Sequence, residues 1–325
     1  MVAEAIVITR TGGPEVLEMR EIEVPSPGPG EALIRQQAIG LNFIDVYHRN
    51  GLYPLRTLPS GIGMEGSGVV EAVGPGTTGL EVGMRVAYAG VLGAYVSRRI
   101  VPADRLVPVP DGVSSEQAAA VMLKGMTVEA LVSRVYPVRP GQTVLWHAAA
   151  GGVGLIACQW LADLGVRVIG TVGTEQKAEL ARRHGCAETI LYRKEDFASA
   201  VRRLTGGQGV PVVFDSVGKA TFNGSLDCLQ PKGMMVTFGN ASGPVDPLDV
   251  RLLGTKGSLF LTRPTFFTYT TDRTELLASA DAVFSRVVRG AISPALNCRW
   301  PLKDAASAHR SLESRETTGS CVLLP

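Results

Sequence analysis

The sequence carries almost no net charge and has few groups that bind metals or form disulfides. Its 32 basic and 30 acidic residues leave a formal charge of +2, which gives no electrostatic reason to expect a nucleic-acid or membrane-surface partner. The five cysteines are Cys158, Cys186, Cys228, Cys298 and Cys321. They have no metal-ligand spacing, and their odd number argues against a disulfide framework. We therefore expect small, buried thiols.

Targeting and membrane-spanning signals are missing too. The segment Met1–Val7 has no basic head, no long apolar run and no cleavage site, so it does not fit a signal peptide. No apolar stretch is long and unbroken enough to span a bilayer. The sequence therefore predicts a cytoplasmic protein.

The pattern of apolar and turn-forming residues divides the chain into two parts. In the first hundred or so residues, short apolar runs alternate with Gly and Pro, which predicts a compact, barrel-like β domain. Helices are expected over 118–124 and 127–135. From Thr143 onward strands alternate with helices, which predicts an α/β domain with a parallel, doubly wound sheet. The final strand, Cys321–Leu324, is expected to return to the first domain.

The segment between the first strand and the first helix of the second part has the pattern of a dinucleotide-binding turn. Ala149, Gly151 and Gly154 fall on the three glycine positions of that fingerprint. Gly151 would let the backbone approach a pyrophosphate, and Gly154 would let the helix pack closely on the sheet. The N-terminus of the helix offers free N–H groups and a partial positive charge to the phosphates. The alternative is a glycine-rich structural turn.

The end of the next strand indicates which dinucleotide binds. A site for NADH requires an acidic side chain there to bond the ribose hydroxyls, but the strand ends in Gly170–Thr174 without a carboxylate. Lys177 follows in the first helical turn, where it would meet a 2′-phosphate. Tyr192, at the end of the third strand, would stack or bond near the same group. The sequence therefore predicts NADPH as the cofactor.

The absence of several catalytic motifs restricts the chemistry. No Tyr is followed four positions later by Lys, and there is no G-x-S-x-G or H-E-x-x-H motif. Only four histidines are present, without paired Cys/His/Asp spacings, so no zinc site is expected. Lacking a metal Lewis acid, a reductase of this kind needs a substrate that is already electrophilic. Quinones and conjugated enones meet that requirement, whereas simple ketones and alcohols do not.

A family resemblance extends over essentially the whole chain. It is carried by segments 40–47, 51–54, 124–128, 148–154, 170–177, 215–218 and 238–240. With these segments the sequence resembles the medium-chain dehydrogenase/reductase superfamily. Within it, the chain is similar to the NADPH:quinone oxidoreductases related to zeta-crystallin. The resemblance implies a GroES-like, β-rich catalytic domain over 1–125 and 264–325 and a Rossmann NADPH-binding domain over 126–263.

The same resemblance implies a reductase that works without zinc. In zinc-dependent relatives a cysteine ligand occupies the position of Asn42, and a histidine ligand occupies the position of Met64. The cysteine-rich structural zinc loop is also missing between Gly83 and Asp104. By resemblance, cofactor and acceptor would bind in the interdomain cleft, and the protein would be a homodimer that pairs through Ser258–Leu261.

Site residues follow from the resemblance position by position. The candidate catalytic residues are Asn42, Tyr47 and Tyr53. The candidate cofactor-binding residues are Asn42, Thr127, Gly151, Gly152, Val153, Gly173, Thr174, Lys177, Tyr192, Ser216, Phe238, Gly239, Asn240, Thr262, Arg263 and Arg315. For several of these residues a purely structural role remains open. Asn42 would then only bond backbone in a turn, and Arg263 and Arg315 would be surface ion-pair formers.

Two other functions remain open from the sequence. One is an enoyl or alkenal reductase on the same scaffold, which would use the same cofactor to reduce a carbon–carbon double bond. The other, implied only by the resemblance, is an NADPH-sensitive protein that binds AU-rich RNA, or a structural protein. The sequence has no basic stripe and no RNP-type motif that would favour RNA binding.

Overall fold

The computed structural model describes all 325 residues, with sixteen strands and nine α-helices. The strands are β1 Val2–Ile8, β2 Glu18–Glu23, β3 Glu31–Leu41, β4 Ser60–Gly61, β5 Glu65–Val73, β6 Arg85–Ala89, β7 Arg98–Pro102, β8 Val107–Pro108, β9 Thr143–Trp146, β10 Arg167–Val172, β11 Glu188–Leu191, β12 Val210–Asp215, β13 Leu229–Thr237, β14 Phe260–Thr262, β15 Leu296–Pro301 and β16 Ser320–Leu324. The helices are α1 Phe43–Arg49, α2 Ser115–Glu129, α3 Gly152–Asp163, α4 Glu175–Arg183, α5 Phe197–Leu204, α6 Phe222–Cys228, α7 Arg251–Thr255, α8 Arg273–Val288 and α9 Ala305–Glu313.

The chain forms two compact units. Unit 1 contains Met1–Met126, Thr270–Gly290 and Pro294–Pro325, and unit 2 contains Thr127–Tyr269 and Ala291–Ser293. No helix is both long and apolar enough to cross a membrane.

Unit 1 is built on mostly antiparallel strands. One sheet has the order β2-β1-β4, and a larger one has the order β15-β16-β3-β5-β6-β8, with β7 also paired to β3. The C-terminal strand β16 pairs antiparallel with β3, so the predicted return of the chain to the first domain is confirmed. A core of aliphatic and aromatic side chains, including Ile34, Ile39 and Tyr95, lies beneath these strands.

Unit 2 is a parallel sheet with the strand order β11-β10-β9-β12-β13-β14. In order of appearance this is 3-2-1-4-5-6, the order of a doubly wound dinucleotide-binding fold. The central strands are apolar and buried, as both faces of such a sheet are covered. Helix α3 ends at Leu164 and is followed by Gly165 at φ +70°, the left-handed conformation that glycine adopts at low cost.

Some local elements differ from the prediction. The two helices predicted over 118–124 and 127–135 form one continuous segment, because α2 continues without a break into a π-helical turn over Ala130–Val135. The apolar run Tyr95–Val101 predicts a strand over those residues, but the strand there, β7, begins at Arg98. Helix α1 was missed, since it is seven residues long and its polar and apolar residues give no clear helical period.

Candidate active site

The predicted cofactor residues of unit 2 lie at one edge of its sheet. Parallel strands end at the same edge, and ligands of such sheets bind outside these carboxyl ends. Each group of predicted residues comes directly after one strand: 151–153 after β9, 173–177 after β10, Tyr192 after β11, Ser216 after β12, 238–240 after β13, and Thr262 and Arg263 at the end of β14. The parallel fold therefore brings together residues that are up to 112 positions apart in sequence (151 to 263).

The turn between β9 and α3 fits a pyrophosphate. Gly151 is the N-cap of α3 and has no side-chain cap, so the amides of the first turn have no acceptor within the helix. A Cβ atom on Gly154 would come within 2.3 Å of the Ala148 carbonyl oxygen, so only glycine permits this approach of helix and turn. A Cβ on Gly151 would meet only that same oxygen, at 3.3 Å, which leaves the space above the amides open. The dinucleotide-binding turn predicted from the sequence has the geometry it requires.

The turn after β10 has the features expected near a 2′-phosphate. Thr174 caps α4 by accepting a hydrogen bond from the Lys177 amide at 3.3 Å, and Lys177 is half-buried in the first turn. Glu175, the carboxylate nearest in sequence, forms an ion pair with Lys194, with 3.0 Å between Oε1 and Nζ. The hydroxyl of Tyr192 lies against Gly173. The turn after β10 therefore has a lysine in the helix that follows it and a tyrosine hydroxyl against its glycine.

The turns after β12 and β13 are fixed by buried hydrogen bonds. Asp215, fully buried, accepts bonds from the amides of Val217 and Gly218 at 2.7 and 3.0 Å. A Cβ on Gly239 would come within 2.3 Å of the Ser216 carbonyl oxygen, so the two turns touch. Arg263 donates to the Gly239 carbonyl oxygen at 3.1 Å, which holds its side chain against the second turn.

His147, beside the glycine-rich turn, is a buried structural histidine. Its Nδ1 lies 2.8 Å from the Thr171 hydroxyl and its Nε2 lies 2.9 Å from the Ser225 hydroxyl. Burial lowers the pKa of His147, which keeps the ring neutral. From its place at a strand end beside the glycines, the sequence predicts His147 to be a satisfied interior histidine, and these two bonds confirm it. The four buried cysteines and the partly buried Cys298 are all free thiols.

In unit 1 the three candidate catalytic residues lie together around α1. Asn42 is the N-cap residue of this helix, and Tyr47 is buried within it. Tyr53 follows the helix, and its amide donates to the Tyr47 carbonyl oxygen at 2.9 Å. The rings of the two tyrosines meet edge to face, with centroids 5.1 Å apart. One short segment therefore presents an amide and two phenol rings.

The Asn42 side chain is held by a buried ion pair that sequence reasoning missed. Its Nδ2 donates to Glu65 Oε2 at 2.8 Å, and Lys124 Nζ lies 3.3 Å from the same oxygen. The other Glu65 oxygen accepts the Leu123 amide at 2.6 Å. The Asn42 side chain therefore bonds a buried carboxylate, and such charge-assisted bonds are short and strong. Asn42 is not limited to bonding backbone in a turn. Lys124 lies in the family segment 124–128 and Glu65 directly follows Met64, but nothing in the sequence indicates that the two side chains meet.

A cavity of about 470 Å³ opens beside this segment. Its lining includes His48, Leu55, Met64 and Leu92. Met64, at the position where the resemblance implies a histidine ligand in zinc-dependent relatives, therefore presents a thioether to the cavity. No group of three or more His, Cys, Asp and Glu side chains is arranged to hold a metal ion.

Two predicted cofactor residues belong to other elements than the strand ends of unit 2. Thr127 is half-buried within α2, and Arg315, in unit 1, is exposed in the turn after α9 with φ +61°.

Two family models match the chain in the order that the fold suggests. The alcohol dehydrogenase GroES-like domain matches residues 28–111, and the zinc-binding dehydrogenase domain matches residues 152–278. The chain is 53% identical over 324 residues to a quinone oxidoreductase of Pseudomonas aeruginosa, which covers 99% of this chain and all of that protein. The chain belongs to the quinone oxidoreductase family. Its place among the zeta-crystallin-like members of the medium-chain dehydrogenase/reductase superfamily, predicted from the sequence, is confirmed.

Two other relatives bear on the chemistry of this quinone oxidoreductase family member. The crystal structure of Escherichia coli quinone oxidoreductase complexed with NADPH has a TM-score of 0.98 and 47% identity, and covers 99% of this chain and 100% of that one. A 2-haloacrylate reductase of a Burkholderia species is also 47% identical, over 99% of this chain and 98% of that protein. Relatives with both quinone and double-bond substrates therefore share this scaffold at similar identity.

Proposed function

We propose that this protein catalyses the reduction of quinones with NADPH as the reductant, without a metal ion. The observation that carries the proposal is the carboxyl edge of the unit 2 sheet. There the open turn at Gly151 fits a pyrophosphate, and the turn at Gly173 offers Lys177 where a carboxylate would select NADH.

The chain's own residues would hold the cofactor at its phosphates and at its adenosine end. The amides of Gly152 and Val153 would bind the pyrophosphate, and Thr174, Lys177 and Tyr192 would bind the 2′-phosphate. The residues proposed for the adenine and ribose side are Ser216, Phe238, Gly239, Asn240, Thr262 and Arg263. Thr127 and Arg315 stay predictions for the remainder of the cofactor site. When bound, NADPH supplies a hydride from its nicotinamide ring.

Asn42, Tyr47 and Tyr53 would receive the acceptor. One Asn42 amide hydrogen is committed to Glu65, which fixes the plane of the amide and directs its second hydrogen in a defined direction. An N–H or phenol O–H so held would donate to the oxygen on which negative charge develops. The quinone itself is electron-poor, so orientation by these groups replaces activation by a metal.

The assembly and location of the protein are part of the proposal. Strand β14 is the edge of its sheet, pairs only with β13, and exposes 58% of Phe260. An unpaired edge strand offers free backbone groups to the same edge of a second copy, and an exposed aromatic side chain beside it adds apolar surface for such pairing. We propose a homodimer joined through this strand in the cytoplasm, with no nucleic-acid partner.

A panel of acceptors tests the substrate class. Steady-state rates with NADPH would be compared for naphthoquinones, phenanthrenequinone, short enones and 2-haloacrylate. We expect the largest kcat/KM for the quinones and no loss of activity on exhaustive treatment with a zinc chelator. Faster turnover of the enones or haloacrylate would favour the double-bond reductase, the second candidate function, which the 47% identity to a 2-haloacrylate reductase supports.

A further inference from the structure

Five side chains of unit 1 form a continuous hydrogen-bonded series, called here the buried row. It consists of Asp45, Tyr95, His309, Arg49 and Glu313. The Tyr95 hydroxyl lies 2.9 Å from Asp45 Oδ2 and 3.0 Å from His309 Nε2. His309 Nδ1 lies 3.1 Å from Arg49 Nη1, and Arg49 makes two bonds of 2.8 Å to the partly exposed Glu313 carboxylate. The row therefore runs from the surface to a fully buried carboxyl group.

The direction of every hydrogen bond in the buried row follows from its members. A guanidinium only donates, so His309 Nδ1 is the acceptor from Arg49. A neutral imidazole then carries its hydrogen on Nε2 and donates to the Tyr95 oxygen, which leaves the Tyr95 hydrogen for Asp45. Burial, together with the charge of Arg49, lowers the pKa of His309 to about 3, in agreement with a neutral ring. From Arg49 through His309 to Tyr95 the donors thus point towards Asp45, while Arg49 also donates to Glu313 at the other end of the row.

Arg49 also prevents the row from conducting protons. Transfer along it would require the guanidinium to give up a proton to His309, and arginine is not deprotonated in proteins. Hydrogen bonds in a low-dielectric interior polarise one another, so the row stabilises negative charge on Asp45 instead. Its effect is to hold and orient a carboxylate.

Asp45 is the residue that fixes the first turn of α1. Its Oδ2 accepts a hydrogen bond from the backbone N–H of Asn42 at 2.9 Å. Its Oδ1 is buried without a hydrogen-bond partner. Helix α1, whose first turn Asp45 fixes, carries Tyr47, and the residue that Asp45 bonds is Asn42. Thus one carboxylate supports two of the three groups proposed to receive the acceptor.

Charged and titratable groups face Asp45 from several elements. Burial raises its pKa to about 7, while hydrogen bonds from Asn42 and Tyr95 and the charge of Lys124 act to lower it and the charge of Glu65 acts to raise it. Of the groups that act on Asp45, Glu65 lies on β5, Lys124 on α2 and Tyr95 in the segment before β7. Farther along the row are His309 on α9 and Arg49 on α1, and Cys321 on β16 acts on Tyr95.

We propose that Asp45 is a positioning residue whose carboxylate form, held by the buried row, sets Asn42 and Tyr47 for quinone reduction. The proposal rests on the function proposed above. A carboxylate accepts the Asn42 and Tyr95 hydrogens as charge-assisted bonds, which are about twice as strong as neutral ones. Protonation weakens both bonds and loosens the turn, so the enzyme is more active when Asp45 is ionised.

The test is the pH dependence of kcat/KM for a naphthoquinone with saturating NADPH, measured between about pH 5.5 and 9. The wild-type enzyme is expected to gain activity with pH through one ionisation near pH 7. In Tyr95→Phe that ionisation moves to higher pH, because a donor that stabilises the carboxylate is lost. In Asp45→Asn it disappears, and kcat at high pH falls by about tenfold or more while the Kd for NADPH changes less than about twofold.

Tyr88→Phe is the matched control. Tyr88 is also fully buried in unit 1, and its hydroxyl donates to Gln36 Oε1 at 2.7 Å, away from Asp45. This variant loses the bonds of a buried hydroxyl to Gln36 and Arg99, as Tyr95→Phe loses those to Asp45 and His309, but it is expected to keep the wild-type pH profile. An equal displacement of the profile in Tyr88→Phe and Tyr95→Phe would overturn the proposal, as would an Asp45→Asn enzyme that keeps the wild-type ionisation.

The two proposals fail in different ways. A wild-type protein that binds NADPH but turns over no quinone refutes the proposed function, whatever the variants do. A wild-type protein that is active but has a flat profile refutes the role of Asp45 alone. If Asp45→Asn does not fold, the direction of the Tyr95→Phe shift still decides the question.

Discussion

The hydroxyl of Tyr192 lies over Gly173, so close that a Cβ atom on residue 173 would come within 2.9 Å of the hydroxyl oxygen. The contact joins the turn after β10 to the end of β11, at the position proposed for the 2′-phosphate. Since the tyrosine side chain is 41% exposed, it is able to swing away from an added methyl group. An added methyl group is therefore expected to disturb the proposed phosphate position more than the stability of the fold.

Gly173→Ala should accordingly weaken NADPH binding without unfolding the protein. We expect the Kd for NADPH, from the fluorescence of the reduced nicotinamide, to rise by about fivefold to tenfold, or about 1 kcal/mol. The thermal midpoint should change little. Gly254→Ala is the control, because a Cβ there meets nothing within 4 Å. Unchanged NADPH affinity in Gly173→Ala would place the phosphate elsewhere.

Lys177→Ala tests the selection of NADPH over NADH. An ion pair at about 4 Å is worth roughly 1 to 4 kcal/mol, depending on screening, and each 1.4 kcal/mol is tenfold in affinity. We expect the Kd for NADPH to rise at least about fivefold, and that for NADH to stay near its wild-type value. Lys256→Ala, which removes a lysine paired with Asp227 on the same unit, should affect neither. Equal losses for both nucleotides would show that Lys177 makes no contact with the phosphate.

Ser225→Ala should destabilise the cofactor unit from its interior. The substitution removes the hydroxyl that lies 2.9 Å from His147 Nε2 and 3.2 Å from Asp215 Oδ2. Leaving buried polar groups unsatisfied costs about 1–3 kcal/mol, which denaturant unfolding would measure as a lower midpoint. Ser285→Ala, on an exposed helical surface, should lie within about 0.5 kcal/mol of wild type. Similar effects of the two substitutions would contradict this account of the His147 cluster.

His309 should make the protein less stable in acid. Its folded-state pKa of about 3 lies below the ordinary value of 6.5, so the unfolded chain takes up a proton at a higher pH than the folded one. The stability contributed by the neutral ring is present above about pH 6.5 and is lost as the pH falls from there towards 3. We expect urea unfolding to show a smaller loss of stability between pH 8 and about pH 4.5 in His309→Gln than in wild type, by about 1 kcal/mol or more.

The raised pKa of Asp45 acts in the opposite direction. Its folded-state pKa of about 7 exceeds the ordinary 3.8, so its stabilising effect is present in acid and declines as the pH rises towards 7. Because His309 belongs to the row that holds Asp45, the comparison of His and Gln at position 309 is repeated in an Asp45→Asn background, where this contribution is absent. His184→Gln serves as the control, since that ring bonds only the Leu180 carbonyl oxygen of its own helix. An identical acid loss in wild type and His309→Gln would refute the prediction.

Phe260→Lys tests the proposed dimer. A charged side chain on an edge strand opposes pairing with a second strand, so we expect the mass from light scattering to fall from two chains to one. Val82→Lys replaces a side chain that is 68% exposed in unit 1 and should leave the mass unchanged. A wild-type protein that is monomeric at micromolar concentration would contradict the proposal directly.

Much of unit 2 could be predicted because its signals are local. The strand Val210–Asp215 and the start of α3 at Gly152 follow from an apolar run and from glycine punctuation, and both have the predicted positions. The edge-strand pairing of β15 and the short helices α1, α5 and α6 were not predicted. Short elements are decided by what they pack against, and the sequence carries little periodic signal for them.

The sequence by itself determined the class of fold, the turn that fits a dinucleotide and the candidate residues at the strand ends, because each depends on residues that are neighbours in the chain. Only the tertiary structure decided which polar groups share the interior of unit 1. Tyr95 and His309 are 214 residues apart, yet their polar atoms lie 3.0 Å from each other. Such a contact follows from the packing of α9 against the segment of Tyr95, whose backbone is bonded to Ile6 of β1, and no local pattern encodes it.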